Sequence, residues 1–288
     1  MSRNNAASRH EWRQVRKAAK ERRRKVKSRH RKSVKKSPPS SPAFYLFVKR
    51  LLDIVLSGFA ILVLSPLLVP VCVILKCTGE HDIFYGQDRI GFRNRHFKIL
   101  KFATMLRNSP NMAGGLHTTH GDPRVLPFGK FLRKTKINEL PQLFNIFLGD
   151  MSIIGPRPLV EKTFAPYSDE VKSRIYNVKP GLSGIGSIVF RDEETLLTAC
   201  QKKGLSLDEA YAKIVSPYKG ALEMWYQDHM GLWTDAWLVF LTAWVVLFPK
   251  SNLVECIFSD LPRRDPMSDE DYARFREEQL VGYKSRHA

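Results

Sequence analysis

Between Arg133 and Pro158 the chain gathers the residue types that phosphate chemistry uses: Arg133 and Lys134, the pair Asn138-Glu139, Asp150, and Arg157 framed by Pro156 and Pro158. Arginine presents a planar fork of donors that suits phosphate oxygens, and the two prolines stiffen the loop that carries it. Glu139 offers an anionic oxygen to a metal ion or a proton. The Asn138 amide has no such oxygen and cannot serve as a nucleophile. Apolar residues at Ile137, Leu140, Leu143, Phe144 and Phe147 predict an amphipathic helix from about Asn138. Asn138 would then be its N-cap, with Glu139 in the first turn and Pro141 tolerated near the start. That reading asks no chemistry of Asn138. The same helix start would also attract an anion, since its first amides and macrodipole favour negative charge.

Two other stretches bear on the same chemistry. Lys179-Pro-Gly-Leu-Ser-Gly-Ile-Gly186 is a glycine-rich turn but lacks the Gly-Lys-Ser/Thr ending of a P-loop. Segments 82–91 and 96–105 each read as a strand ending in Gly or a polar turn. Lys98 and Lys101 fall in the second, where the pattern alone suits the basic face of a half-buried strand.

Taken together, these runs resemble the signatures of the bacterial sugar transferases, the monotopic polyprenyl-phosphate phosphoglycosyl transferases. The resemblance covers Lys49 to about Phe248 and includes Gln87-x-Arg89-x-Gly91, Phe97-Lys98-x-x-Lys101-Phe102-x-Thr104-Met105, the run from Arg133 to Pro158, and Lys179-Pro-Gly-Leu-Ser-Gly184. It implies transfer of a phospho-sugar from a UDP-sugar to a polyprenyl (undecaprenyl) phosphate, giving UMP and a polyprenyl diphosphate sugar, with Mg²⁺ as cofactor. Such a step begins surface glycan or exopolysaccharide assembly. It further implies that Lys98, Lys101, Arg133 and Arg157 bind phosphate, that Pro156 and Pro158 shape a nucleotide loop, and that Glu139 binds metal or acts as base. In that family the residue at Asn138 is usually an Asp, the nucleophile of a covalent route. The replacement leaves three routes: direct displacement by the lipid phosphate, substitution by a neighbouring carboxylate such as Glu139 or Asp150, with Asp150 also a metal ligand, or a membrane-bound binding scaffold or sensor without turnover.

The elements that would position these residues are legible in part. The formal charge of +19 is uneven: residues Met1 to Pro42 hold sixteen Lys and Arg against Glu11 and Glu21. This basic arm has little to bury, so it is expected to be disordered and drawn to anionic lipids. Nucleic acid is the weaker reading, because the charge is confined to one arm. Between Asp53 and Lys76 lie 22 uncharged residues, about 33 Å if helical and long enough to cross a bilayer. Pro66 and Pro70 interrupt the run and Ser65 can bond back to the backbone, so a helix-break-helix hairpin that re-enters the same face is expected. A straight span would carry the remainder away from cytosolic nucleotides. The family resemblance agrees, with Lys49, Arg50, Asp53, Ser65 and Pro66 at the places of its re-entrant anchor.

The expected organisation is a basic arm (1–42), a membrane anchor (43–78), an α/β or α+β cytosolic domain (79–250) and a polar tail (251–288). Within the domain, the Trp-rich segment 232–248 reads as an interfacial or core helix. The protein is thus expected on the cytoplasmic face of a bacterial inner membrane. Four cysteines form neither a CxxC pair nor a zinc pattern with the eight histidines and read as reduced thiols. A homo-oligomer is left open.

Overall fold

The computed structural model describes residues 42–109, 112, 122–249 and 251–264. The basic arm through Ser41 and the tail beyond Arg264 lie outside the described residues. Helix α1 (Pro42–Cys77) runs unbroken through Pro66 and Pro70, which corrects the expected break at Ser65-Pro66. Pro66 has no N–H to give to the Leu62 carbonyl one turn earlier, and the Ser65 hydroxyl donates to that carbonyl instead, at 2.8 Å. A local replacement donor therefore offsets one of the two lost bonds.

One stripe of α1 docks on the domain along its length. Arg50 donates to the carbonyls of Ile146 and Phe147 (2.6 and 2.8 Å). The buried Asp53 carboxylate accepts from the Ser152 hydroxyl and the Ile153 amide (3.1 and 2.9 Å). Beyond the prolines, Leu68, Val71 and Leu75 pack against Phe102 and Leu132. The opposite stripe, including Phe47, Leu51, Val55, Phe59, Leu62 and Val69, is exposed. The helix is long and apolar enough to cross a membrane.

Among the described residues the domain mixes short helices with two small sheets. Strands β1 (Phe84–Ile90) and β2 (His96–Phe102) form an antiparallel hairpin in which Tyr85 faces Lys101, Gln87 faces Ile99 and Arg89 faces Phe97. Helix α2 (Pro127–Lys134) begins with proline at its first turn, and a Cβ at its Gly129 would overlap the Thr104 carbonyl. A 3₁₀ turn (Ile137–Glu139) follows, then the seven-residue helix α3 (Gln142–Leu148) with Pro141 at its N-cap. Strand β3 (Ser152–Ile154) pairs in parallel with β4 (Gly181–Ser183), and between them lie α4 (Glu161–Phe164) and α5 (Asp169–Arg174). A Cβ at Gly181 would overlap the Gly155 amide, so the glycine-rich turn is there to let two backbones meet.

Helices α6 (Ile185–Val189), α7 (Glu193–Lys202) and α8 (Leu207–Ala210) lead through a π turn (Tyr211–Val215) into α9 (Ser216–His229). The apolar α10 (Leu232–Leu247) and the short α11 (Leu253–Ile257) complete the described chain. Leu238 and Leu241 of α10 join the main core with Tyr176, Ile185 and Leu222, while Trp233, Phe240 and Val246 are exposed. Lys49 of α1 forms an ion pair with Asp235 of α10, which also accepts from the Tyr45 and Tyr226 hydroxyls (both 2.8 Å). The two apolar helices are thereby tied together at a polar knot.

Candidate active site

The hairpin, α2 and the 3₁₀ turn enclose a cavity of about 380 Å³. Strand alternation puts Tyr85, Gln87 and Arg89 on one face of β1, and the hairpin register brings Lys101 beside them. Gln87 Oε1 accepts from both Arg89 (2.8 Å) and Lys101 (3.3 Å), which holds two cations side by side. Arg133 enters from the last turn of α2, and Lys136, Asn138 and Glu139 from the turn that follows. Lys136 takes a left-handed conformation (φ 61°), reversing the chain so that Asn138 and Glu139 face the cavity.

Arg157 approaches Glu139 from the neighbouring loop, 3.9 Å away. Several backbone groups of that loop are held. Pro156 O accepts from the Gly181 amide (2.9 Å) and Pro158 O from Arg89 (3.1 Å). The buried Tyr176 hydroxyl donates to Arg157 O (2.8 Å) and accepts from the Leu159 amide (2.9 Å). A rigid loop thus presents Arg157 at the cavity's edge.

The electrostatics follow from this crowding. Burial pushes the Lys101 ammonium down to about 8, with Arg89 adding to the effect and Glu139 opposing it. Burial, then Arg157, lowers Arg89 to about 10. Burial alone would raise the Glu139 carboxyl, but Arg157, Lys101, Lys136 and Arg89 outweigh it and hold it below the ordinary glutamate range. Glu139 is therefore ionised at neutral pH within a ring of cations. The cavity's other carboxylate, Asp82, is engaged by Arg107 through two bonds of 2.9 Å at the rim. Arg124 also lines the wall, with its guanidinium bonded to the buried Asp122. The surplus is positive and suits a diphosphate.

Not every residue singled out in the sequence meets here. Lys98 lies three residues before Lys101, on the opposite face of β2, and is exposed. Asp150 sits past the far end of α3, where it accepts from Asn145 (3.4 Å), and it does not line the cavity. Asn138 is not a helix cap: it is the middle residue of the 3₁₀ turn, and α3 starts four residues later. Its Oδ1 is buried without a hydrogen-bond partner. A helix as short as α3, capped by proline, also lacks the N-terminal anion site expected of a longer one. Arg89 stood in the sequence only within the Gln87-x-Arg89-x-Gly91 run, with no role of its own, and Lys136 was not picked out; strand register and a left-handed turn bring them in.

Among the described residues no three His, Cys, Asp or Glu side chains cluster as a metal cage. The Glu139 carboxylate and the unpartnered Asn138 Oδ1 are adjacent oxygen donors, however, and Mg²⁺ commonly takes one or two protein oxygens with the rest from phosphate and water. The residues present fit such a partial site.

A cavity with a surplus of cationic side chains thus lies in a domain that packs against a helix long and apolar enough to cross a membrane. The chain belongs to the bacterial sugar transferase family, whose pattern matches residues 44–249. It is 35% identical over 206 residues to the UDP-N-acetylgalactosamine-undecaprenyl-phosphate N-acetylgalactosaminephosphotransferase of Aeromonas hydrophila, covering 70% of this chain and 44% of that protein. Identity to the undecaprenyl-phosphate galactose phosphotransferase of Salmonella typhimurium is 31% over 215 residues, 70% of this chain and 40% of the relative. The exopolysaccharide production protein ExoY of Sinorhizobium fredii shares 38% over 164 residues, 52% of this chain and 72% of its own. The chain thus spans less than half the length of the first two relatives.

Proposed function

We propose that this protein transfers a sugar 1-phosphate from a UDP-sugar to a polyprenyl phosphate, releasing UMP, as the opening step of surface glycan or exopolysaccharide assembly. The observation that carries this reading is the ring of Arg89, Lys101, Arg133, Lys136 and Arg157 around one ionised carboxylate. An oxygen of the lipid phosphate forms a bond to the sugar-bearing phosphorus while the bond from that phosphorus to the bridging oxygen breaks. The electron pair leaves with UMP. Preorganised cations stabilise the charge that grows on the departing phosphate. Glu139 and Asn138 Oδ1 would hold Mg²⁺, which supplies further neutralisation of the diphosphate when bound. Asp150 has no part in this scheme, because it lies away from the cavity.

The membrane reading rests on α1. Residues before Pro66 (Arg50, Asp53) and after it (Leu68, Val71, Leu75) bind the same domain, so both ends of the apolar helix belong on one side of the bilayer. We therefore place α1 as a monotopic anchor whose exposed apolar stripe lies in the cytoplasmic leaflet of the inner membrane, with the basic arm drawn to anionic lipids. A second reading, a binder without turnover, is favoured by one observation, the amide at Asn138 where the family usually has Asp.

The test is UMP release from a panel of UDP-sugars by the full chain with Mg²⁺, with and without undecaprenyl phosphate. Release that requires the lipid and is lost in Glu139→Gln supports direct displacement. Release only after Asn138→Asp would instead establish a binding protein disarmed at its nucleophile.

A further inference from the structure

Glu223 of α9 is fully enclosed, 5% exposed, and its Oε2 has no hydrogen-bond partner. A carboxyl group in such a place is costly and calls for a reason. Its other neighbours supply one. The Arg157 backbone N–H donates toward the carboxylate. Oε1 fills the space that a side chain at Gly186 would take, so Gly186 of α6 is what lets the carboxyl reach the loop. The nearest cation on its own helix, Lys219, is already paired with Glu193. Tyr167 and Tyr176 face Glu223 from the segments flanking α5.

Tyr176 holds the Arg157 carbonyl, and the Glu223 carboxyl faces its amide. With neighbouring backbone groups also fixed, the guanidinium has a set place to emerge beside Glu139.

We propose that Glu223 is a positioning residue, a buried support that fixes the Arg157 loop and so sets the affinity of the cationic cavity for a nucleoside diphosphate. It touches no substrate and acts only through Arg157. The assignment rests on the cavity's reading as a phosphate site. Burial, against the weaker pull of Lys219 and the Arg157 amide, raises the Glu223 carboxyl from 4.5 to about 8, so the support is a neutral acid at neutral pH. Ionisation above that point places an unpaired charge under the loop.

The experiment measures UDP binding to the full chain in detergent by calorimetry, for wild type, Glu223→Leu, Glu223→Gln, Arg157→Ala and the double variants. Glu223→Leu is expected to weaken UDP binding about tenfold in the wild-type background and not at all in the Arg157→Ala background, since coupled residues are non-additive. Glu223→Gln keeps the acceptor and restores affinity. Its affinity relative to wild type is expected to rise above about pH 8, a ratio from which the titration of Lys101 cancels. Equal losses in both backgrounds, or full UDP affinity in a folded Glu223→Leu protein, would overturn the proposal. Should Glu223→Leu not fold, a Gln-to-wild-type ratio that is constant with pH, or that varies equally in the Arg157→Ala background, overturns it. UDP binding without UMP release from any donor would sink the transfer reading alone, whereas no UDP binding by wild type would sink both.

Discussion

At the scale of single residues, the proposed transfer turns on Glu139 and the cations around it. Glu139→Gln keeps shape and removes charge, and a drop in turnover of about a hundredfold or more is expected in the UMP assay. Lys101 gives a pH signature. It is charged below about 8 and neutral above, so the KM for a UDP-sugar should climb as pH passes through that value. Lys101→Arg, which stays charged, should flatten the rise. A KM that is pH-independent in the wild type would remove Lys101 from phosphate binding. Glu223 has the opposite effect, on stability. Its folded-state value is raised from 4.5 to about 8, so the folded protein holds the proton more tightly than the unfolded chain. That contribution is complete below about 4.5 and is lost as pH climbs through about 8. Thermal melts of wild type against Glu223→Gln should therefore show the wild type losing ground steadily over that window.

At the scale of elements, the decisive pieces are the hairpin, the 3₁₀ turn and α1. Leu132, wholly buried between α1 and β2, fixes the helix that carries Arg133. Leu132→Ala should cost about 2–5 kcal/mol by leaving a cavity, read from denaturant unfolding in detergent. The anchor makes a topological claim that labelling can check. In spheroplasts expressing a variant with Cys77 as sole native cysteine plus Ser37→Cys, an impermeant maleimide should reach neither site until the membrane is opened. Labelling of Cys77 from outside would establish a crossing helix instead. The unbroken course of α1 through two prolines shows why a Ser-Pro step is an imperfect predictor of a break: the hydroxyl can supply what the proline withholds.

For the whole molecule, charge and apolar surface divide the labour. The exposed stripe of α1, the aromatic flank of α10 and Phe147 and Leu148 offer the surface that a bilayer would cover. The Lys49–Asp235–Tyr226 knot joins the two helices that bear most of it. Removing residues 1–41 should weaken binding to vesicles containing anionic lipid, most visibly at low salt, while leaving UMP release in detergent near the wild-type level. Unchanged vesicle binding would reduce the arm to a solubilising tail.

The amino-acid order by itself determined the family, the long apolar helix, the hairpin strands and the Trp-rich helix, because each is written in local pattern: composition, period and contiguous motif. Arg133, Glu139 and Arg157 were legible for the same reason, standing in one uninterrupted run. Tertiary structure alone decided which cations share the cavity. Lys98 and Lys101 are near neighbours in sequence yet face apart, since side chains on a strand alternate, while Arg89 joins Lys101 only through the register of two paired strands. It also decided that Asn138 sits inside a 3₁₀ turn, that Asp150 lies elsewhere, and that Glu223 stands beneath Arg157. Each of these depends on packing between distant segments, which no local pattern encodes.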